Sequence, residues 1–490
     1  MVLVPSTTRE SVMFIPLRRA LRRRIPPLTC ALGLLLGGCT AYEAEPLETL
    51  EILRALEEVR LEGTTSEEVA PVVSSLDVSD GLSLLEASAI AVRRNPSLLA
   101  LRADLGVADA QLSQAGLLSD PVIGWSAGDP IADSIVEGKV ASTSWLSGFS
   151  LTWTLPRPDE LDSEEGVAQA QIRSSAARLA GAEWQLVREV QLAYVRSLVA
   201  RLRLGQNQRL LEISRRTLGF LARARTAGAS TALEESLARV AANTVQADLL
   251  RARVQELRAR QALNRLLGLP PDREWELQDT LDRFNLPAEA EEEEEEELAQ
   301  LVRESLERRP DLSEVLSDYQ RAEEQLRLEC ARQWPLVQIG TGLSIQIPIF
   351  SKLNQPAIET AQKRRVAARA RVTAAIQDVR AQIHAAAADL RQAREVLKLY
   401  RTALGPQTEE TLRLTEQAFR AREVSPLEIL TAQRQVVETQ ARFLAARQAS
   451  AEAQIRLDSA SGRLLPAART PLPQPDDTTT HPSDDDQDSK

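Results

Sequence analysis

Few residues of this 490-residue sequence have the types and spacing that catalysis or metal binding requires. Its histidines are His384, inside an alanine-rich run, and His481, near the end of the chain. The sequence has no glycine-rich phosphate loop, nucleophile elbow or metal-spaced Cys/His cluster, and its carboxylates are scattered at helix-surface spacings. We therefore predict that the protein is not an enzyme and that it holds no metal and no cofactor.

The cysteines point instead to a covalent modification. Cys39 ends the run Leu36-Gly37-Gly38-Cys39, which follows an arginine-rich stretch and an apolar stretch from Ile25 to Leu36. This order is similar to a bacterial lipoprotein signal, in which the cysteine thiol receives the lipid. That similarity predicts a signal peptide over residues 1–38 and lipidation at Cys39. Because Thr40 rather than Asp follows, it also implies sorting to the outer membrane. An ordinary signal peptide with a chance cysteine is the alternative.

Composition and charge favour long packed helices. Aromatic residues make up 3% of the chain, and the apolar content comes mainly from Ala, Leu and Val. The formal net charge of −11 argues against nucleic-acid binding, which needs a basic surface. After residue 40 no apolar run reaches about 18 residues, so no transmembrane helix is predicted.

The sequence is an internal duplication. Arg94-Asn95-Pro96-Ser97-Leu98 aligns with Arg308-Arg309-Pro310-Asp311-Leu312, and four more identities follow without a gap at the same offset of 214. Ser230 and Ser425 match at an offset of 195, and Gly268 and Gly462 at 194. The second repeat has therefore lost about 20 residues between these two groups of matches.

The missing residues lie in a predicted β-hairpin. The first repeat has two strand-like runs, Val122-Ile123-Gly124-Trp125 and the alternating Phe149–Leu155. In the second repeat Leu343–Pro348 is the matching strand, and Gly340-Thr341-Gly342 must form the turn. We predict hairpins over residues 121–156 and 335–350.

Each repeat is predicted as helix, hairpin, very long helix, tight turn and helix. The first repeat spans residues 81–270, with helices at 164–227 and 231–267 and with Ser163 as an N-cap. The second spans 301–465, with helices at 355–422 and 426–463. The flanking segments are a lipidated N-terminal linker at 39–80, an acidic linker at 271–300 and a disordered acidic tail at 466–490.

The first long helix has two apolar stripes, and at 1.5 Å per residue it is about 95 Å long, enough for a strut or the wall of a duct. Two stripes indicate a helix packed on both sides, as in a ring of helices. The stripes are Val187, Val190, Tyr194, Leu198 and Leu202, and beside them Leu192, Val195 and Val199. Two smaller features have simple interpretations. The glutamate run Glu291–Glu297 is a solvated linker or a helix start, and Cys330 is a small buried apolar residue.

Several stretches resemble TolC-family outer-membrane efflux proteins. They are Leu82–Ala87 through Asn95-Pro96, Gln114–Pro121 and Leu263–Pro270. The Gln-Ala-Gly-Leu-Leu sequence at 114–118 is most like the heavy-metal cation efflux branch. The resemblance covers about residues 82 to 465.

This resemblance implies a mainly α fold with a small membrane β part. Three duplicated chains form a homotrimer with a twelve-helix periplasmic α-barrel and a β-barrel of four strands per chain. A closed barrel pairs every backbone donor within lipid. The implied function is the outer-membrane duct of a tripartite efflux system, which passes small molecules or metal cations from the periplasm to the exterior. Its implied partners are a periplasmic membrane-fusion adaptor, an inner-membrane pump and outer-membrane lipid.

The turns between paired helices resemble the periplasmic tips that contact the adaptor in this family. In the first turn the candidate contacts are Arg225, Gly228 and Ser230, and Gly228 fits a left-handed helix C-cap. In the second turn the candidates are Arg422 and Ser425, with Glu423 where that glycine would be. Plain helical turns without a partner are the alternative.

Two other functions stay open at this point. The chain is alternatively a lipid-anchored, non-conducting helical scaffold of the same fold, or a duct that exports polysaccharide or protein. The second hairpin bears on the scaffold alternative, because a membrane-spanning strand needs about 9 to 11 residues. Residues 335–350 supply 16 for the whole hairpin. We therefore predict one long and one short hairpin per chain.

Overall fold

The computed structural model describes residues 42, 44–57, 81–125, 149–228, 230–281, 294–340, 342–421, 423–424 and 426–464. The chain divides into two compact units, Met1–Ala55 and Leu56–Lys490. Helix α1, Thr49–Glu57, begins in the first unit. The second unit contains both repeats. The predicted signal peptide and acidic tail lie outside the described residues.

The first repeat begins with two short helices. Helix α2, Leu84–Arg94, starts at a capping box in which Ser83 and Glu86 each accept a backbone N–H of the other. Helix α3, Pro96–Gln114, starts at Asn95, whose side chain accepts the Ser97 N–H at 2.9 Å. Pro96 suits the first helical position because that position needs no N–H.

The rest of the first repeat follows the predicted order. Its elements are β1, Val122–Trp125, β2, Phe149–Leu155, α4, Glu160–Thr226, and α5, Ala232–Leu267. Both strands coincide with the two predicted runs. The two helices begin and end within four residues of their predicted limits.

The predicted N-cap at Ser163 is wrong. Helix α4 begins one turn earlier, after Asp159, whose φ of 59° is left-handed. The Ser163 N–H donates to the Asp159 carbonyl at 3.1 Å, so Ser163 lies within the helix, where it is buried. The Glu160 carboxylate accepts hydrogen bonds from the Arg157 backbone N–H and guanidinium, at 3.0 and 2.8 Å. These bonds fix the first turn without a side-chain cap.

The second repeat has the same order of elements. They are α6, Glu294–Arg308, α7, Pro310–Ala331, β3, Leu336–Gly340, β4, Leu343–Gln346, α8, Gln355–Leu399, α9, Gly405–Arg420, and α10, Pro426–Ala460. The single helix predicted at 355–422 is wrong in one respect, because Tyr400–Leu404 is a π-helical segment between α8 and α9. Pro406 provides the physical reason. It has no N–H for the Thr402 carbonyl and its ring crowds that carbonyl, so the backbone widens there.

Helix α4 packs on both sides, as its two stripes predict. Val190 and Tyr194 lie in a core with residues of α2 and α5. Val195 and Val199 lie in a second core with residues of α10. Leu202, at the end of the first predicted stripe, is 40% exposed and departs from the prediction. Helix α4 therefore holds its own repeat together and also joins it to the second repeat.

The first part of the predicted acidic linker is packed against the helices. Leu82 donates its N–H to the Glu276 carbonyl at 2.7 Å and accepts the Gln278 N–H at 3.2 Å. The buried Tyr194 hydroxyl donates to the same Leu82 carbonyl at 2.7 Å. Trp275 Nε1 donates to Asn264 Oδ1 at 2.9 Å. Residues 271–281 are therefore a fixed strap, and the linker prediction is wrong for them.

Two smaller predictions can be placed in the structure. Helix α6 begins at Glu294, inside the glutamate run, so the helix-start interpretation applies to this run. Cys330 is a free thiol that is only partly buried beside Leu326, Ile358 and Ala361. It packs as a small apolar residue, though not at a fully buried position.

Both repeats close through a glycine with positive φ. Gly268 follows α5 with φ 68°, and Gly462 follows α10 with φ 78°. A Cβ on Gly268 would lie 2.8 Å from the carbonyl oxygen of Arg94, at the end of α2. A Cβ on Gly462 would lie 2.8 Å from the Arg308 Cβ, at the end of α6. The last helix of each repeat therefore meets the first helix at a place where only glycine fits.

A hydrogen bond beside each glycine is also repeated. Asn95 Nδ2 donates to the Leu266 carbonyl, and Arg309 Nη1 donates to the Ala460 carbonyl, both at 3.1 Å. Asn95 and Arg309 align in the duplication, so two different side chains make equivalent bonds. The buried Arg309 guanidinium is balanced by the Asp311 carboxylate at 2.5 Å.

Candidate functional site

The four strands form one antiparallel sheet in the order β1-β2-β3-β4. Strand β2 of the first repeat pairs with β3 of the second, with Trp153 opposite Ile339 and Thr154 opposite Gln338. Gln338 Nε2 also donates to the Thr154 hydroxyl at 3.3 Å. The two hairpins therefore join across the repeat boundary, and the described residues contain four paired strands, the number predicted for each chain.

The register gives this sheet two chemically different faces, because paired residues share a face and neighbours along a strand alternate. On one face, residues 123, 151, 153, 155, 337, 339, 343 and 345 are all Ile, Leu, Val or Trp. The opposite face carries mainly small or polar residues, among them Gly124, Ser150, Thr152, Thr154 and Gln338. In the isolated chain Ile123 is 66% exposed and Leu343 70% exposed. Alternation of this kind is typical of strands with lipid on one side and water on the other.

The second hairpin is short, as predicted. Strand β3 has five residues and β4 has four, and Ile339 pairs with Leu343 on either side of the turn. Both are shorter than the roughly 9 to 11 residues of a typical spanning strand. The segment between β1 and β2, residues 126–148, lies outside the described residues. Whether the short hairpin limits the duct stays a prediction.

No helix among the described residues is both long enough and apolar enough to cross a membrane. Within the same residues, no group of three His, Cys, Asp or Glu side chains has an arrangement that would hold a metal ion.

The turn between α4 and α5 contains the first set of predicted contact residues. Gly228 has φ 73°, as expected, and its N–H donates to the Arg225 carbonyl at 3.0 Å. A Cβ on Gly228 would have no heavy atom within 4 Å, so only the backbone angle favours glycine here. The Ser230 hydroxyl donates to the Glu234 carboxylate at 2.8 Å, and Thr231 forms a capping box with the same glutamate.

Arg225 is held in place by a carboxylate that sequence reasoning missed. The Glu235 carboxylate accepts Arg225 Nη1 at 2.6 Å and Arg239 Nη2 at 2.5 Å, and Glu235 is only 8% exposed. The hydrogen bond from Arg225, and then that from Arg239, lowers the pKa of Glu235 from its ordinary value. The spacing of Glu235 and Arg239, four apart on one helix, was the available signal.

The second turn is different. Arg422 and Ser425 lie outside the described residues. Beside them, the exposed Glu423 donates its N–H to the Ala418 carbonyl at 2.9 Å. Leu430 aligns with Glu235 in the duplication, so the second turn has no carboxylate at that position. The two turns therefore differ in charge as well as in backbone. Cys39, the predicted lipidation site, also lies outside the described residues.

Comparison with known proteins agrees with these features. The sequence profile of the family described as "Outer membrane efflux protein" matches residues 88–269 and 301–463. These two ranges lie within the two repeats and cover most of both. No curated protein that was compared with the chain matches it.

Solved structures similar to this chain share its fold at low sequence identity. A membrane protein from Pseudomonas aeruginosa is 20% identical, with 77% of this chain and 92% of that one covered and a TM-score of 0.62. The CmeC outer membrane channel of Campylobacter jejuni is 13% identical, with 87% and 94% covered and a TM-score of 0.64. The MtrE outer membrane channel of Neisseria gonorrhoeae, in its open state, is 18% identical, with 77% and 88% covered and a TM-score of 0.62.

Proposed function

We propose how this chain works from the premise that it belongs to the outer membrane efflux protein family. It is accordingly an outer-membrane channel of a tripartite efflux system, a homotrimer that works with a membrane-fusion adaptor and an inner-membrane pump. Our proposals concern the route of the cargo, the adaptor contact and the lipid anchor of this particular chain. Since the family consists of channel proteins, we also infer that the chain has no catalytic activity of its own.

The four-stranded sheet is the exit of the duct, through which small molecules or metal cations leave the periplasm. Its two faces are the observation that supports this role. The face with Leu151 and Ile339 suits lipid, and the face with Thr152 and Gln338 suits a water-filled passage. A scaffold that does not conduct would have no need for a sheet face made mainly of small and polar residues.

Single-channel recording of the full-length trimer in planar bilayers tests this role. We expect discrete conductance steps, and Thr152→Lys on the polar face should shift the ion selectivity toward anions. Leu151→Val, on the neighbouring apolar position, is the matched control and should leave the selectivity unchanged. A trimer that inserts but gives no steps would favour the non-conducting scaffold, and equal selectivity of both variants would contradict the assignment of the faces.

The turn at Arg225, Gly228 and Ser230 is proposed as one adaptor contact, with Arg422 and Ser425 as the other. Three hydrogen-bonded features hold the described residues on either side of this turn: the glycine C-cap, the Thr231 capping box and the Glu235 ion pairs. The space around Gly228 is open. Accessible residues that hydrogen bonds already hold in place lose little conformational freedom when a partner binds.

Gly228→Val tests the adaptor contact. A β-branched residue at this positive φ is strained by about 1 to 3 kcal/mol, so the turn should change its backbone and adaptor binding should weaken. Gly219→Val, in the interior of α4 where a Cβ also meets open space, is the control. We expect both variants to form trimers and only Gly228→Val to lose adaptor binding and export. Unchanged adaptor binding and export by Gly228→Val would exclude this turn as a contact.

Lipidation at Cys39 is proposed as the membrane anchor. The support is the sequence order of arginines, apolar residues, Gly37-Gly38 and Cys39. Mass spectrometry of the mature N-terminus should show a lipid-modified Cys39 as its first residue, and Cys39→Ala should weaken membrane fractionation. An unmodified N-terminus at another residue would remove the anchor from this proposal.

A further inference from the structure

The connection from β4 to α8 is longer than its counterpart in the first repeat. In the first repeat Pro156–Asp159 joins β2 to α4, and in the second Ile347–Asn354 joins β4 to α8. Each connection has a proline at or near its start, Pro156 or Pro348, and each ends with a left-handed residue, since Asp159 has φ 59° and Asn354 has φ 62°. The second connection therefore contains three additional residues between the same two landmarks.

These additional residues expose large apolar side chains. Phe350 is fully exposed, Ile349 is 68% exposed and Leu353 is 49% exposed. The first connection has instead Arg157, which is bound to the Glu160 carboxylate and to the Trp334 carbonyl. The Arg157 side chain therefore holds the shorter connection against neighbouring residues by hydrogen bonds, while the longer connection exposes apolar side chains.

The exposed loop is nevertheless well ordered by its own hydrogen bonds. The Leu353 N–H donates to the Pro348 carbonyl and the Lys352 N–H donates to the Ile349 carbonyl, each at 3.0 Å. Asn354 Nδ2 donates to the Glu329 carbonyl, at the end of α7, at 2.9 Å. These bonds hold the loop backbone, and its apolar side chains remain exposed although their burial against the protein would be favourable.

The apolar surface of the loop continues that of the sheet. Leu343 and Ile345 lie on the apolar face, and Ile347, 52% exposed, follows at the same spacing of two. Ile349 and Phe350 come next in the chain. The end of β4 at Gln346, paired with Leu336, is the end nearest the helices. In an outer-membrane channel whose helices lie in the periplasm, this end of the sheet faces the inner leaflet.

We propose that the loop Pro348–Asn354 inserts into the inner, phospholipid leaflet of the outer membrane, at the boundary between headgroups and acyl chains. Phe350, Ile349 and Leu353 enter the apolar side of that boundary, and the Lys352 ammonium reaches the lipid phosphates. Phe and Leu side chains are typical of the apolar face of segments that lie at this depth of a bilayer. The loop gives the short second hairpin a membrane contact that its strands are too short to supply.

Site-directed spin labelling of the full-length trimer tests the depth of the loop. Phe350→Cys, in a Cys330→Ala background, is labelled with a nitroxide and reconstituted into vesicles of phosphatidylethanolamine and phosphatidylglycerol. Collisions with molecular oxygen, which concentrates in the bilayer, are compared with collisions with a water-soluble nickel chelate. The Cys330→Ala protein without the second substitution measures any signal from other thiols.

We expect the oxygen-to-nickel collision ratio at residue 350 to be several-fold higher than at Leu233→Cys, an exposed apolar position near the first turn. It should approach the ratio at Ile123→Cys on the apolar sheet face. Ser351→Cys, a smaller change in the same loop, should give the same result if Phe350→Cys does not assemble. A label accessible to the nickel chelate would place the loop in water, and one shielded from both reagents would place it against a neighbouring protein chain. Either result would overturn the proposal.

Discussion

Gly268→Ala should loosen the closure of the first repeat more than an ordinary glycine substitution would. Alanine at a left-handed position costs about 1 to 2 kcal/mol. The new Cβ would also lie 2.8 Å from the Arg94 carbonyl oxygen and 3.2 Å from the Arg94 carbonyl carbon. Overpacking against such neighbours costs a further 1 to 3 kcal/mol or so. The expected total is about 2 to 5 kcal/mol.

Two other glycines separate these effects. Gly228 has nearly the same φ as Gly268 but open space around it, so Gly228→Ala should cost only about 1 to 2 kcal/mol. Gly219 is helical and also has open space, so Gly219→Ala should stabilise α4 by about 0.5 to 1 kcal/mol. The difference between Gly268→Ala and Gly228→Ala therefore measures the collision with Arg94.

Hydrogen exchange of the intact trimer, read by mass spectrometry on peptides around each site, is the suitable assay because it reports local opening. At about 1.4 kcal/mol per factor of ten, amides at the end of α5 should exchange about 30-fold or more faster in Gly268→Ala. Amides near the first turn should exchange about 5- to 30-fold faster in Gly228→Ala. Equal acceleration in the two variants would refute the argument that close approach to Arg94 demands glycine.

Three further predictions concern other features of the fold. The ion pairs lower the pKa of Glu235 below its unfolded value, so their stabilisation is present above that value and is lost as the pH falls through the folded pKa. Exchange near the first turn, corrected for intrinsic rates, should therefore rise in acid, and Glu235→Gln should reduce this pH dependence to the part that comes from Glu234, whose pKa is also lowered. Pro406→Ala should restore a hydrogen bond to the π-helical segment and slow exchange in α9, and unchanged exchange would show that proline does not cause the segment. Grafting residues 124–148 into the second hairpin should raise single-channel conductance if its shortness limits the duct, and a native conductance equal to that of a full twelve-stranded duct would contradict this limit.

The elements that the sequence predicted well are those with local signals. Pro121 precedes β1 and Pro156 follows β2, β2 alternates in polarity, and the helices around the strands have apolar periodicity. Gly228 was predicted to have a positive φ because it follows a long helix, and the structure confirms this angle. Such signals depend only on neighbouring residues, so they can be read without knowing what packs against them.

The wrong predictions concern positions where two local signals compete, or where residues distant in sequence determine the structure. Ser163 is a good N-cap by type, but the Asp159 carbonyl already accepts its N–H because the helix starts a turn earlier. Gly405-Pro406 was a usable signal for an interrupted helix and was overlooked. The strap at 271–281 looked like an acidic linker because its partners, Leu82 and Tyr194, lie far away in sequence.

The sequence alone predicted only part of the candidate site, again because residues distant in sequence determine the rest. Alternation was evident in β2 alone, while the apolar face depends on the pairing of β2 with β3. That pairing joins residues from different repeats, and no local pattern specifies its register. The Glu235 ion pairs were readable in principle from helix spacing, but the partner Arg225 lies on the preceding helix.

The pairing of β2 with β3 also has a consequence for the order of assembly. Thr154 and Gln338 are 184 positions apart, so the chain between them must be closed into a loop before these strands can meet. Closing a loop of that length costs entropy that local helix formation does not, and long-range strand pairing is correspondingly slow. A chain emerging from its N-terminal end can fold α2 to α5 first, while β2 still lacks its partner β3. We therefore expect the membrane-facing sheet to be completed after the helices of the first repeat, once β3 and β4 of the second repeat have been exported. Such timing would keep its apolar face from forming before the protein has reached its destination.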